Sequence, residues 1–189
     1  ISGCTPVHVD FLDLSTVSPG ATYSWNLGDG STSGETNPSH VYTSPGDYNV
    51  SLTIVSAQGC QGALTINQLV HVEALPTADF LMSTHETTVL NSTINFTDKS
   101  TNTWTWQWDF GDSVGTSSEP NPSYTYASPG DYTIMLITQN QLGCIDTAYS
   151  TLRVKNDFAI YVPNTFTPNG DGINDGFIPF GVGWASFSM

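Results

Sequence analysis

The sequence contains little positive charge. Its 189 residues include 3 Lys+Arg against 17 Asp+Glu, which gives a formal net charge of −14. Nucleic acids and anionic membranes are bound through clustered cations that displace counterions, whereas this chain offers Lys99, Arg153 and Lys155 alone. The composition therefore excludes nucleic acid as a partner. It favours an acidic surface, which keeps extracellular proteins soluble and attracts divalent cations.

Long apolar runs and a start signal are also absent. No stretch approaches the roughly 20 apolar residues that a membrane-spanning helix needs. The N-terminus lacks the charged-then-apolar pattern of a signal peptide. Because the chain opens with Ile1-Ser2-Gly3-Cys4, we expect it to be a fragment of a longer protein.

Helical spacing is missing, and two-residue alternation of apolar and polar side chains takes its place. The alternation is clearest in three stretches, Val7, Val9 and Phe11, then Tyr48, Val50, Leu52 and Ile54, then Tyr132, Ile134 and Leu136. A period of two predicts strands with one face in a core and the other in water. Turn-forming residues fill the gaps, so the chain predicts small antiparallel β-sandwiches of the immunoglobulin type.

The sequence repeats itself at an offset of 83 to 84 residues. The repeated blocks are 25–30 (WNLGDG) with 108–113 (WDFGDS), 37–42 (NPSHVY) with 121–126 (NPSYTY), and 44–48 (SPGDY) with 128–132 (SPGDY). A unit of this length is large enough to bury a core of its own, so the repeat predicts two tandem domains. Leu75-Pro76 marks their boundary, which gives domains at 1–75 and 76–156.

These blocks resemble the PKD domain family over both units. The shared order is Trp-x-x-Gly-Asp-Gly, Asn-Pro-Ser-His-x-Tyr and Pro-Gly-x-Tyr-x-Val, and the second unit departs from it at Ser113 and Tyr124. The resemblance implies seven-stranded sandwiches that serve as spacers and interaction modules on extracellular proteins, without catalysis. We therefore expect an all-β chain with two immunoglobulin-like sandwiches and the beginning of a third, incomplete β domain.

The tail, residues 157–189, carries a second resemblance. Residues 162–175 (VPNTFTPNGDGIND) and 177–181 (FIPFG) resemble the start of the gliding-motility-associated C-terminal domain, the type B sorting domain of the Bacteroidetes type IX secretion system. The sorting motif would comprise Pro163, Asn164, Phe166, Pro168, Asn169, Gly170, Asp171, Gly172, Asn174 and Asp175. The resemblance implies recognition by the type IX machinery and an extracellular location. It also implies attachment to the outer membrane through a β-barrel partner of the PorP/SprF type.

The same tail loop leaves calcium open as a cofactor. With Gly172 as the sharp-turn glycine, the spacing of a calcium loop puts ligands at Asn169, Asp171, the Ile173 carbonyl and Asp175. Thr167 and Ile178 stand at the first and last ligand positions, and Ile178 replaces the bidentate glutamate. The alternative is a tight turn in which the carboxylates bind backbone N–H groups and which the sorting machinery recognises.

Three cysteines are available for a disulfide. Cys4 precedes the first predicted strand and Cys60 lies in a turn after a later one, so we expect these two to pair. The bond would close a loop of about 56 residues and contribute up to about 4 kcal/mol; the alternative is two free buried thiols. Cys144 matches Cys60, but the equivalent of Cys4 falls near Val89, so we expect a free thiol at Cys144. A disulfide would imply an oxidising, extracytoplasmic location.

Three tryptophans in the second unit form a candidate sugar-binding surface. Trp104, Trp106 and Trp108 share one face of an extended segment and form a candidate platform for sugar rings. Since Trp106 and Trp108 align with Tyr23 and Trp25 of the first unit, core packing is the favoured interpretation.

Short Asp-Ser/Thr-apolar triplets mark candidate O-glycosylation sites. Ser113 and Thr147 follow Asp112 and Asp146 in triplets that resemble Bacteroidetes glycosylation sites, although three-residue patterns often arise by chance.

No catalytic constellation is apparent in the sequence. The histidines are scattered, and the block containing Ser39-His40 becomes Ser123-Tyr124 in the second unit. A catalytic dyad would not lose its base on copying. We therefore expect the non-catalytic C-terminal region of a large secreted surface protein, of adhesin or gliding-motility type, whose target is a surface polysaccharide or a substratum. The alternative is the accessory stalk of a secreted polysaccharide-degrading or proteolytic enzyme with its catalytic domain upstream.

Overall fold

The chain folds almost entirely into strands. The computed structural model describes residues 1–157, 159–161 and 180–182, and in them the one helical element is the 3₁₀ turn Val89–Asn91. None of the described residues belongs to a helix with the length and apolar character needed to cross a membrane. Two compact units are present. The first contains 1–78, 100–105 and 138–146, and the second contains 79–99, 106–137 and the described residues from 147 onward.

The first unit is built from two sheets. A five-stranded sheet has the order β1-β7-β6-β3-β4, and a two-stranded sheet pairs β2 with β5. The strand β1 runs parallel to β7, whereas the other pairs are antiparallel. The strands are β1 Ser2–Cys4, β2 Val7–Asp10, β3 Thr22–Asn26, β4 Thr32–Ser33, β5 Ser39–Tyr42, β6 Gly46–Val55 and β7 Gln61–Glu73.

The second sandwich repeats this plan with one more strand. Its five-stranded sheet has the order β12-β11-β14-β15-β9, and its three-stranded sheet has the order β13-β10-β8. The parallel pair recurs between β9 and β15. The strands are β8 Phe80–Met82, β9 Glu86–Thr88, β10 Thr93–Asp98, β11 Thr105–Asp109, β12 Thr116–Ser117, β13 Ser123–Thr125, β14 Gly130–Gln139 and β15 Ile145–Lys155.

The inward-facing residues of the alternating stretches form the cores. In the first unit the buried cluster is Val9, Phe11, Trp25, Leu27, Tyr42, Val50, Val70 and Val72. In the second it is Phe80, Ile94, Phe96, Trp108, Phe110, Tyr126, Ile134, Leu136, Leu152 and Val154. Trp25 and Trp108 are both buried, so the prediction that core packing places them inside is confirmed.

A short antiparallel pair follows the second sandwich. The strands β16 (Ala159–Tyr161) and β17 (Phe180–Val182) pair with each other. The proposed sorting motif and calcium ligands, between Pro163 and Asp175, lie outside the described residues.

The predicted disulfide between Cys4 and Cys60 is wrong. Cys4 is bonded to Cys144, with Cα atoms 6.4 Å apart, and Cys60 is free and exposed. The length of β7 keeps these two cysteines apart. Cys4 pairs with Glu73, the last residue of β7, whereas Cys60 directly precedes the first residue of β7. At about 3.3 Å per residue these ends are about 40 Å apart, and a disulfide needs Cα atoms within about 7 Å. The free thiol is therefore Cys60 and not Cys144.

We predict that Trp108→Ala lowers the free energy of unfolding by about 3–5 kcal/mol, because it removes a fully buried indole and leaves a cavity. Chemical denaturation monitored by circular dichroism measures the change. Trp104→Ala is the matched control, since Trp104 is 62% exposed and its removal should change stability by no more than about 0.5 kcal/mol. Equal losses in the two variants would contradict the core assignment.

Candidate functional site

A turn held by several side-chain hydrogen bonds follows β3 in the first unit. The backbone N–H of Gly28 donates to Asn26 Oδ1 at 3.0 Å, and the N–H of Ser31 donates to Asp29 Oδ1 at 2.9 Å. Short acidic and amide side chains accept such bonds from the backbone two residues on, which fixes the turn. The polar residues of the repeated block thus serve the backbone of their own turn.

Two aromatic side chains hold this turn from within. The indole N–H of Trp25 donates to the Glu35 carbonyl at 3.0 Å, and the hydroxyl of Tyr42 donates to the Leu27 carbonyl at 2.8 Å. Burial raises the pKa of Tyr42 to about 12, so the hydroxyl keeps its proton and remains a donor at neutral pH.

The second unit repeats these bonds residue for residue. The Asp109 carboxylate accepts from the Gly111 N–H, and the Asp112 carboxylate accepts from the N–H groups of Val114 and Gly115. The aromatic bonds recur as Trp108 to the Glu119 carbonyl at 2.8 Å and Tyr126 to the Phe110 carbonyl at 2.9 Å. The same sequence block therefore builds the same geometry twice.

The side chain that bonds to the aspartate of the turn differs between the copies, but the arrangement is the same. His40 Nε2 lies 2.7 Å from Asp29 Oδ2, whereas at the equivalent place the Tyr124 hydroxyl donates to Asp112 Oδ2 at 2.5 Å. Desolvation acts to raise the pKa of Asp29, but hydrogen bonds from His40 and Ser31 outweigh it and lower the pKa. The Tyr124 bond is the main cause of the lowered pKa of Asp112.

Both carboxylates are therefore ionised acceptors near neutral pH, and their bonds go to the turn and to one aromatic or imidazole donor. Tyr124 preserves the hydrogen bond but not the proton-accepting chemistry of His40. The conserved geometry with exchanged chemistry assigns this cluster a structural role.

Glycine is required at the centre of each turn. Gly28 has φ +91°, and a Cβ there would lie 2.5 Å from the Asn49 carbonyl oxygen. Gly111 has φ +80°, and its Cβ would lie 2.3 Å from the Thr133 carbonyl oxygen. Left-handed φ and close approach of another strand both exclude a side chain at these positions.

The disulfide lies beside a buried asparagine that the sequence analysis did not single out. Asn140 Nδ2 donates to Cys4 Sγ at 3.2 Å and to the Ala74 carbonyl at 3.1 Å, while its Oδ1 accepts from the Cys144 N–H at 2.9 Å. All four residues belong to the first unit. Asn140 stands where the first repeat has Ser56, and this exchange was the available signal, because serine lacks the reach for such a bridge.

The remaining candidate residues are not brought together. Ser113 is exposed in its turn with φ +68°, and Thr147 is half-buried in β15. Trp106 packs partly buried against the second core, while Trp104 is exposed. Across residues 1–157, 159–161 and 180–182, no group of three or more His, Cys, Asp or Glu side chains is placed to hold a metal ion.

Two immunoglobulin-like sandwiches, each with the same hydrogen-bonded turn, define a class of tandem β-sandwich module. The family model of the PKD domain matches residues 4–72 and 73–155, and the chain belongs to the PKD domain family. The part of the chain so matched consists of non-catalytic accessory domains of a kind typical of extracellular proteins.

Similar proteins include two curated collagenases. Collagenase ColA of Bacillus cereus is 53% identical over 61 residues, which cover 31% of this chain and 6% of that protein. A microbial collagenase of Vibrio alginolyticus is 46% identical over 41 residues, which cover 22% of this chain and 5% of that protein. The matched segments thus span only 5% to 6% of the curated relatives' length.

Among solved structures, the PKD1 domain from the Vibrio cholerae metalloprotease PrtV is 26% identical, with a TM-score of 0.38. The match covers 43% of this chain and 98% of that one.

We predict that Gly111→Ala lowers the free energy of unfolding by about 3 kcal/mol or more, because φ strain and a clash with the Thr133 carbonyl act together. The matched control is Gly30→Ala. Gly30 has φ +95° but nothing within 4 Å of a Cβ, so only the strain of about 1–2 kcal/mol remains. Urea denaturation of both variants measures the difference, and equal costs would refute the close approach as the reason for Gly111.

We also predict that a non-reducing protease digest yields one linked peptide pair, containing Cys4 and Cys144, while Cys60 reacts with maleimide in the native protein. The bond spans 140 residues, so Cys144→Ser should lower the free energy of unfolding by about 4–5 kcal/mol in the chain-entropy estimate. Cys60→Ser is the control and should change stability by no more than about 0.5 kcal/mol. A linked peptide containing Cys60 would show that the assignment is incorrect.

Proposed function

We propose that these two PKD domains form a non-catalytic spacer near the C-terminus of a large secreted bacterial protein of adhesin or gliding-motility type, displayed at the cell surface. The observation that carries the proposal is the repeated turn. Both copies direct their ionisable groups to structural bonds, and the exchange of His40 for Tyr124 keeps the geometry while it changes the chemistry. A module that holds other parts of a protein at a distance needs this conserved frame and no reactive group.

The sequence of the tail supports a location at the cell surface. The second sandwich ends with β15 at Lys155, and the sorting-type sequence 162–175 begins a few residues later. Prolines and glycines in that sequence restrict the backbone to defined shapes, which suits recognition by a partner protein. We propose type IX secretion machinery and an outer-membrane barrel of the PorP/SprF type as those partners. A surface polysaccharide or substratum is the target of the parent protein.

The second candidate is an accessory stalk of a secreted enzyme, and the collagenase names of the curated relatives favour it. In that case the parent protein is a secreted proteolytic enzyme, and its catalytic domain lies upstream of the two PKD domains. The sequence that precedes Ile1 in the parent gene distinguishes the two candidates. Further repeats support the adhesin, whereas a catalytic domain supports the enzyme.

Truncation of the parent protein after Asp157 tests the sorting role. Asp157 is retained because its carboxylate accepts from the Leu90 N–H at 2.6 Å, so both sandwiches keep their contacts. We predict that the truncated protein folds but is lost from the cell surface and accumulates in the cell envelope, as measured by labelling of intact cells.

The matched control replaces residues 158–189 with a Gly/Ser segment of equal length, which keeps the size but not the motif. It should also fail to reach the surface. Normal display of either variant would mean that the tail does not direct sorting.

A further inference from the structure

The first unit has an open apolar groove beside its smaller sheet. Its volume is about 850 Å³, and the segment 11–18 and strands of the larger sheet line it. Three of its leucines are largely exposed, Leu12 at 68%, Leu14 at 85% and Leu64 at 63%. A contiguous apolar surface of this kind marks a place where something else packs.

The sheet edge that borders this groove has an equivalent in the second sandwich, and two pairs of matching hydrogen bonds identify it. The N–H of Phe11 donates to the Pro38 carbonyl at 2.9 Å, and the N–H of Phe96 donates to the Pro122 carbonyl at 2.9 Å. Likewise the N–H groups of residues 13 and 98 donate to the side chains of residues 37 and 121. Residues 11–13 of the first unit therefore correspond to residues 96–98 of the second.

In the second unit a strand covers this edge. The strand β8 pairs antiparallel with residues 96–98, with Asp98 opposite Phe80 and Phe96 opposite Met82. The Phe80 ring lies 5.0 Å from the Trp108 ring and 6.3 Å from the Phe96 ring. One aromatic side chain from β8 thus closes the core between the two sheets.

In the first unit the corresponding edge is open. Among the described residues β2 pairs with β5 alone, so this sheet has two strands where its counterpart has three. Leu52 is only half-buried, whereas its equivalent Leu136 is completely buried. The groove has the position that Phe80 fills in the second unit.

We propose that the edge at residues 11–13 and the adjoining groove bind an extended strand supplied by the polypeptide directly preceding Ile1. The bonding pattern fixes the source. Ile1 O accepts from the His71 N–H at 2.8 Å, and His85 O accepts from the Arg153 N–H at 3.0 Å, so Ile1 corresponds to His85. The strand that covers the second unit ends three residues before His85, at Met82, and its counterpart therefore lies upstream of Ile1.

The chemistry of that strand follows from the same correspondence. Phe80 lies five residues before His85, so a large apolar side chain is required five residues before Ile1. A smaller apolar side chain fits three residues before Ile1, where Met82 has its counterpart. A covalently connected strand closes only a short loop, which favours it over a separate peptide or a second copy.

The test uses the full 189-residue chain with a copy of residues 77–84 (TADFLMST) placed directly before Ile1. Hydrogen exchange at the Leu12 amide should slow by about tenfold or more, because the position equivalent to Thr97 becomes paired. Fluorescence of ANS, a dye that binds apolar surface, should fall by about half or more. Exchange at Ile134 in the second core should not change.

Two matched extensions separate the groove from a general effect of added residues. Phe80→Asp in the copy should restore the exchange rate and dye binding of the unextended chain, because a carboxylate cannot enter the apolar groove. Leu81→Asp in the copy should behave like the unaltered extension, since Leu81 is exposed in β8.

Three outcomes would overturn the proposal. They are unchanged exchange at Leu12 with the unaltered extension, identical behaviour of the Phe80→Asp and Leu81→Asp copies, or a dimer of the unextended chain that protects Leu12 and persists when the extension is present. The last result, measured by light scattering, would make a second copy the occupant. None of these measurements depends on secretion, so failure here leaves the proposed function separately testable.

Discussion

A buried tyrosine hydroxyl joins the two sheets of each sandwich. Tyr42, at the end of β5 in the smaller sheet, donates to the Leu27 carbonyl just after β3 in the larger one. Tyr126 and Phe110 repeat the bond in the second unit. A buried tyrosine hydroxyl without a partner would cost about 1–3 kcal/mol. The backbone after β3 must therefore hold the Leu27 carbonyl within reach of the Tyr42 hydroxyl. The tight turn, its glycine and the carboxylate that fixes it all follow from this requirement.

The local parts of this structure could be predicted from the sequence. Two-residue alternation identified the long strands around Val50 and Ile134, and the repeat placed Trp25 and Trp108 in equivalent cores. Such features depend on neighbours along the chain, where periodicity and turn chemistry act directly. The strand β8 was not identified, because three residues are too few for alternation to be recognised.

The pairing of the cysteines could not be predicted in the same way. It depends on the 13-residue length of β7, which separates Cys60 from Cys4, and on the approach of residues far apart in sequence. Asn140 shows the same limit, since a single exchange of serine for asparagine looks conservative until the hydrogen-bond partners of its side chain are known. Long-range partners are set by tertiary packing and leave almost no local pattern.

The disulfide also determines how the chain transmits force. When any chain is pulled at its two ends, tension follows the shortest covalent route. Between Cys4 and Cys144 that route is the sulfur–sulfur bond. The polypeptide between these two residues, which are 140 positions apart, therefore carries no load. While the bond is intact, tension therefore cannot extend this segment. Its fully extended length would be about 480 Å, at about 3.4 Å per residue. The residues between the two cysteines are therefore shielded from extension, and the load passes from Cys144 directly into β15.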